Sequence, residues 1–254
     1  MRIARLAIAP VKGLGLVHPQ EALLAGNGVR NDRRFYLVDP DGRLVNNKTC
    51  GELMQVRPDV SPDADHLTLA FPSGETVGGE VELGAAVETS FYGRPVTGRY
   101  VEGPWSVAIS EHAGRPLRLV RTDEPGAAID RVHVVSLVSD GSLAALARKA
   151  GVEQVDGRRF RMTVELEGCE EHEEDSWIGG EVEVGEARIR VTGPVGRCVV
   201  TSRDPDTGES DLDTLGTLAG YRTLREGKSF GCGVCGDVLA EGTIRVGDSL
   251  VGGR

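Results

Sequence analysis

Apolar and polar residues alternate in short runs along most of the chain. Ile3, Leu6 and Ile8 mark a strand over Arg2–Ile8. Arg34–Val38 and Arg43–Val45 flank Asp39-Pro40-Asp41-Gly42, where Pro presets φ at the second turn position and Gly tolerates the last, so a β-hairpin is predicted. The strand pattern continues at His66–Phe71, Val77–Leu83, Pro95–Val101 and Leu117–Val120, then at Phe160–Leu166, Glu181–Val191, Cys198–Ser202 and Thr243–Val251. Three segments have helical features instead. Ser106–Ala113 is a short candidate, with Ser106 as N-cap and Gly114 at its end. Ser139-Asp140-Gly141-Ser142 opens a run with Leu143, Leu146, Ala147 and Ala150 on one face, stopped by Gly151, and Asp211–Tyr221 repeats the pattern through Leu212, Leu215 and Ala219. The expected class is mainly β with covering helices (α+β). The polar stretch Arg121-Thr122-Asp123-Glu124-Pro125-Gly126 divides it into a barrel-like domain over 1–122 and a second domain over 123–254.

Composition narrows the function. A chain of 254 residues supports one large or two small domains. Its formal net charge of -10 argues against a nucleic-acid binder, which needs a basic face. No apolar run approaches the ~18–20 residues of a membrane span, and Pro10 with the alternation before it makes the N-terminal segment a strand and not a signal peptide. Five cysteines, an odd number, fit a reducing cytoplasm without disulfides. Of 29 basic residues only Lys12, Lys48, Lys149 and Lys228 are lysines. That skew has two readings, a GC-rich genome or recognition of a planar anion through bidentate arginine hydrogen bonds.

Common hydrolase arrangements are absent: no Gly-x-Ser-x-Gly elbow, no His-Glu-x-x-His, no phosphate-binding P-loop. The five histidines are dispersed, and His133, in an apolar run, reads as a core residue. The acidic segment Glu165–Asp175 reads as a solvated loop that could place one carboxylate near a site. Sulfur and arginine remain. In Gly196-Arg197-Cys198 the guanidinium can stabilise a thiolate, the form that ligates soft metals or attacks electrophiles. Cys232-Gly233-Val234-Cys235 is a lone Cys-x-x-Cys without the further donors of a structural zinc site, so it reads as a pair of loop cysteines, with redox activity as the alternative.

Taken in order, Arg159-Phe160-Arg161, Asp175-Ser176-Trp177, Arg197-Cys198, Asp204-Pro205-Asp206-Thr207-Gly208, Phe230-Gly231 and Val246-Gly247-Asp248 resemble the MOSC domain. That domain is shared by the C-terminus of molybdenum-cofactor sulfurases and the mitochondrial amidoxime-reducing component. Pro10-Val11-Lys12-Gly13 and Gly28-Val29-Arg30-Asn31-Asp32-Arg33-Arg34-Phe35 resemble the N-terminal MOSC-associated β-barrel of that family, so the resemblance spans nearly the whole chain. It implies that the second domain is also a β-barrel.

The resemblance also implies a site. Cys198 would ligate molybdenum, Arg197 and Arg161 would lie along the pterin, and Lys12 and Arg33 would hold its terminal phosphate. Gly13 stands where the family has Ser, leaving a backbone N–H, and Thr163 stands where many members have Asn. Ser139 matches a position near the pterin, and Glu170 matches a carboxylate near the metal with a catalytic role. The implied protein is a cytoplasmic, molybdenum-cofactor-dependent oxidoreductase that reduces N-hydroxylated or N-oxide compounds by oxygen-atom removal. Its electrons would come from a separate flavoprotein or ferredoxin-like donor. The alternatives are a sulfur-carrier or cofactor-handling protein, and a molybdenum-free MOSC scaffold with another activity.

Overall fold

In a computed structural model, residues 1–123, 134–222, 224–225 and 229–252 are described. His133 and part of the 121–126 boundary stretch lie outside them. Strands dominate, and among the described residues helices Trp105–Ala113, Asp140–Ala150 and Thr214–Ala219 cover them. The protein is mainly β with covering helices.

The first core lies between two antiparallel sheets. One runs in the order Leu44–Val45, Phe35–Val38, Arg118–Thr122, Arg94–Glu102, Glu82–Phe91, and the other is Arg57–Val60, His66–Ala70, Thr76–Glu80. Phe35, Leu37, Leu67, Leu69, Trp105, Ile109 and Leu119 are among the side chains that fill it. The buried Trp105 indole donates to the Leu67 carbonyl at 3.1 Å, so its polar edge is satisfied. The hairpin expected around Asp39–Gly42 forms: Leu37 faces Val45, Gly42 has φ +76°, and the Asp39 carboxylate accepts from the Asp41 and Arg43 amides.

The second core is built on a sheet ordered Arg2–Leu6, Val164–Glu167, Val135–Ser139, Ser229–Ala240, Ala187–Gly196, Glu181–Val184, Leu250–Gly252. Val135–Ser139 and Val164–Glu167 run parallel, joined through helix Asp140–Ala150. The adjacent side chains Leu137 and Val138 belong to different apolar clusters, so both faces of the sheet are covered. The helix begins and ends where its residues require. Ser139 Oγ accepts from the Ser142 amide at 3.0 Å, and Gly151 closes it at φ +70°. The chain's first strand belongs here and not to the first core: Arg2 faces Glu167 and Ile3 faces Leu166, while Glu21–Ala25 pairs with Gly242–Arg245.

Several segments differ from the sequence expectation for local reasons. Only Val164–Glu167 of the expected Phe160–Leu166 strand is extended; Gly157–Phe160 is a 3-10 turn and Arg161 takes φ +53°. Cys198–Ser202 is also a turn, because the Cys198 carbonyl accepts from the Thr201 amide at 3.1 Å and from its hydroxyl at 2.9 Å. The Asp211–Tyr221 helix contracts to Thr214–Ala219, since Asp213 Oδ1 caps the Gly216 amide at 2.9 Å. Ser106 is not an N-cap; Pro104 holds that position, and Ser106 Oγ accepts from the Leu119 amide. Cys232 and Cys235 are not loop cysteines but lie buried in Ser229–Ala240, whose Gly233 bulges at φ +73° where a Cβ would meet the Leu137 carbonyl at 2.5 Å. The acidic segment is not wholly solvated: Glu174, in the 3-10 turn Glu173–Trp177, is fully buried.

The two cores are joined at the Asp204–Gly208 turn. Asp206 accepts both arms of Arg158 at 2.9 and 2.7 Å and Arg57 at 2.6 Å, and the Gln55 amide group donates to the Thr207 carbonyl at 2.8 Å. Gly51 and Gly208 meet backbone to backbone: a Cβ on Gly51 would lie 2.2 Å from the Gly208 carbonyl oxygen. Among the described residues, no helix is long and apolar enough to cross a membrane. Because the Gly51 neighbour is backbone and cannot swing aside, Gly51→Ala is expected to cost about 1–3 kcal/mol, the range of an overpacked contact, in urea denaturation at neutral pH.

Candidate functional site

Beside this junction lies a cavity of about 170 Å³, lined from both cores. The first core contributes Lys12 and Gly13, Arg33, the loop Asn46-Asn47-Lys48 and Tyr92; the second contributes Arg159-Phe160-Arg161, Gly196-Arg197-Cys198, Val200 and Thr201. Among the described residues, six cations line the cavity and no carboxylate does, in a chain of net charge -10.

Local backbone geometry aims these groups. Val11 bridges Phe35 in parallel register, which places Lys12 and Gly13 beside the Asn31–Arg33 turn. That turn is clamped from two sides: the Arg33 amide donates to the Ala9 carbonyl, and Asp32 Oδ1 accepts from the Ala9 amide, each at 2.8 Å. Asp32 also pairs with the Arg33 guanidinium. Arg33 and Arg161 both have left-handed backbones, at φ +54° and +53°, and Arg161 reaches from the second core to donate to the Leu14 carbonyl at 2.7 Å. Burial, reinforced by the like charge of Arg33, pushes the Arg161 pKa down to about 10. Gly13 takes φ +95°, and a Cβ there would lie 3.0 Å from Asn46 Cα. A serine would be strained in that conformation, so the glycine follows from the close approach of the Asn46-Asn47 loop.

Two buried donors on residues of the wall lack an acceptor among the described residues. Asn47 is 5% exposed and its Nδ2 has no partner; Arg159 forks onto Asp211 at 2.6 and 2.7 Å, but its Nε has none. An unsatisfied buried donor costs about 1–3 kcal/mol. The cations of the lining suit an anionic ligand.

Cys198 is a free, exposed thiol on this cavity, held by its carbonyl at the start of the Val199–Ser202 turn. Its neighbour Arg197 turns inward. Arg197 Nε donates to the Cys232 carbonyl at 2.8 Å, Nη1 donates to the Phe160 carbonyl at 3.1 Å, and the guanidinium lies 5.0 Å from the Phe160 ring. Burial pushes its pKa down to about 10. Most of its donors are committed to the protein, so Arg197 braces the cavity floor more than it offers hydrogen bonds along a ligand.

The structure therefore gathers Lys12, Gly13, Arg33, Arg161, Arg197 and Cys198, and sets Ser139, Thr163 and Glu170 apart. Ser139 is fully buried, its hydroxyl donating to Glu174 at 2.6 Å, so it serves the helix terminus. Thr163 exchanges hydrogen bonds with Ser136 across the two parallel strands. Glu170 is exposed in a loop whose preceding amides, Gly168 and Cys169, are tied to the Asp140 carboxylate; it does not line the cavity. Sequence reasoning assigned no role to Asn46, Asn47, Lys48, Tyr92 or Arg159. The available signals were the amide-rich triplet after strand Leu44–Val45 and an aromatic in the two-residue turn Tyr92-Gly93, where Asn-Gly is preferred.

The family model of the MOSC N-terminal beta barrel domain matches residues 1–100, and that of the MOSC domain matches residues 127–251. The human mitochondrial amidoxime-reducing component 1 is 26% identical over 98% of this chain and 82% of its own length. A molybdenum cofactor sulfurase of Drosophila pseudoobscura pseudoobscura is 26% identical over 89% of this chain and 32% of its own length, so the chain spans about a third of that relative. A crystal structure of the YUAD protein from Bacillus subtilis aligns with a TM-score of 0.47 at 11% identity, covering 98% of this chain and 93% of that one.

Exposure and burial separate the cysteines chemically. Burial pushes the Cys232 thiol up to about 11 and the Cys169 thiol up to about 12, and raises Cys50 as well. Iodoacetamide at pH 8 is expected to alkylate Cys198 first in the native protein, read by peptide mass spectrometry. Equal labelling of Cys198 and Cys232 would contradict the burial described.

Proposed function

The chain belongs to the MOSC family, and from that premise we propose that it is a molybdenum-cofactor-binding oxidoreductase that reduces N-hydroxylated or N-oxide compounds by oxygen-atom removal. The observation that carries this reading is the pairing of an exposed thiol with six cations and two unsatisfied buried donors around one cavity. A pterin cofactor with a terminal phosphate needs a soft ligand for its metal and positive donors for its anion, and the residues present fit both needs.

In this reading Cys198 is the metal ligand and must be deprotonated to bind. Lys12 and Arg33 hold the phosphate and Arg161 lies along the pterin, with the Gly13 backbone approaching closely because no side chain intervenes. Arg197 fixes the Cys198 backbone by anchoring the end of strand Ala187–Gly196, just before it, to the Cys232 carbonyl. Bound there, the cofactor supplies two-electron redox chemistry, while the protein supplies ligation, orientation and electrostatics. Electrons arrive from a separate flavoprotein or ferredoxin-like donor, and the protein acts in the cytoplasm. The exposure of Cys198 also supports a second reading, a cofactor-handling protein in which the same thiol carries sulfur.

In a host that makes the cofactor, Cys198→Ser is expected to lose molybdenum by at least about tenfold with unchanged circular dichroism, because an alcohol poorly replaces a soft thiolate. Full metal content and full turnover in that variant would remove Cys198 as the ligand. Arg33→Gln is expected to weaken cofactor retention by about 1.5–3 kcal/mol, the worth of a hydrogen bond to a charged group, read by cofactor released on gel filtration. Turnover of a hydroxylamine or an amidoxime with an artificial reductant separates the reductase from the cofactor-handling reading.

A further inference from the structure

The Tyr92 corner of the cavity is not used by the cofactor reading. Tyr92 and Gly93 form the two-residue turn between strands Glu82–Phe91 and Arg94–Glu102, with Phe91 facing Arg94. Their φ values are +51° and +86°. A turn with both central residues at positive φ favours Asn-Gly, and a bulky aromatic in the first position is strained. Strain of this kind persists where the rest of the structure holds it in place. Phe91, fully buried, packs edge-on to Tyr36 with centroids 4.9 Å apart, and so anchors the turn directly behind Tyr92. The ring it carries is 66% exposed and lines the cavity.

Its neighbours define what would rest there. Lys12 Nζ and Lys48 Nζ each lie 5.9 Å from the Tyr92 ring centroid. One corner thus offers an aromatic face and two ammonium groups. A saturated ring would waste the first and a neutral ligand the second.

We propose that Tyr92 and Lys48 form a binding subsite for a planar aromatic anion, with its ring against Tyr92 and its negative charge beside Lys48. Tyr92 and Lys48 have no part in the cofactor reading, so the subsite stands or falls apart from it; Lys12 belongs to the phosphate set.

The test uses three probes on the full chain as isolated, with molybdenum content measured on the same sample. They are 2-naphthoate, its fully saturated decahydro analogue, and neutral 2-naphthamide, each titrated by ligand-observed NMR. Naphthoate is expected to bind roughly three- to tenfold more tightly than either control, since ring stacking and a charge-assisted contact are separable contributions of that size. Tyr92→Leu should abolish the preference over the saturated analogue, whereas Tyr92→Phe should keep it. Lys48→Gln should abolish the preference over the amide and spare the first. Tyr92→Asn relieves the turn, so its melting temperature should not fall while the ring preference disappears, which separates recognition from folding. Equal binding of all three probes, no binding at millimolar concentration, or a ring preference that survives Tyr92→Leu would overturn the proposal. Absence of molybdenum alongside a Tyr92-dependent preference would overturn the cofactor reading alone.

Discussion

A buried guanidinium without a carboxylate partner is costly, and the site depends on how Arg197 meets that cost. Its charge is spread over the carbonyls of Cys232 and Phe160 and the face of the Phe160 ring. Those acceptors come from two separate segments, so satisfying one side chain brings together the Cys198 turn, the Arg159–Arg161 turn and the central strand. Remove that charge and the three segments lose their common reason to meet. The inward-facing arginine and the outward-facing thiol beside it are therefore two halves of one arrangement.

Around that knot the cations need their own support. Arg158 and Arg57 share Asp206, and Arg159 takes Asp211. The carboxylates that keep the arginines in place stand behind the cavity wall and leave its lining without negative charge. The chain's overall acidity is thus compatible with an anion site, because sign is sorted locally and a net charge describes only the sum. Burial first, and the like charge of Arg33 second, depress the Arg161 pKa, and a bound anion would offset both.

How far the sequence could be read followed the range of the interactions. Helix Asp140–Ala150 was legible because its cap, apolar face and terminal glycine all act within a few residues. So was the Asp39–Gly42 hairpin. Cys198–Ser202 looked like a strand because Val199, Val200 and Thr201 are β-branched, but the Thr201 hydroxyl closes a turn on the Cys198 carbonyl. Lys12, Arg33 and Cys198 lay in recognisable motifs, whereas Asn47 and Tyr92 join them only when a loop and a hairpin tip distant in sequence fold over one cavity. In the acidic run, neighbourhood alone did not distinguish Glu170, which is exposed, from Glu174, four places on, which is the carboxylate that the fold buries.

The strand Arg2–Leu6 belongs to the second sheet, and this orders events during synthesis. Arg5 meets Glu165, 160 residues later, and the Ile3 amide donates to the Asp248 carbonyl. A ribosome releases this strand long before its partners exist. Until they emerge, Ile3 and Leu6 have no surface on which to hide, and their hydrogen-bonding edges are open to other chains. The first core can assemble meanwhile from residues that are already out. The second must wait for Val164–Glu167 and Ser229–Ala240 before it can close over Arg2–Leu6. Chaperone demand should therefore concentrate on that waiting strand, and a nascent chain stalled late in translation should be more prone to aggregation than the finished protein.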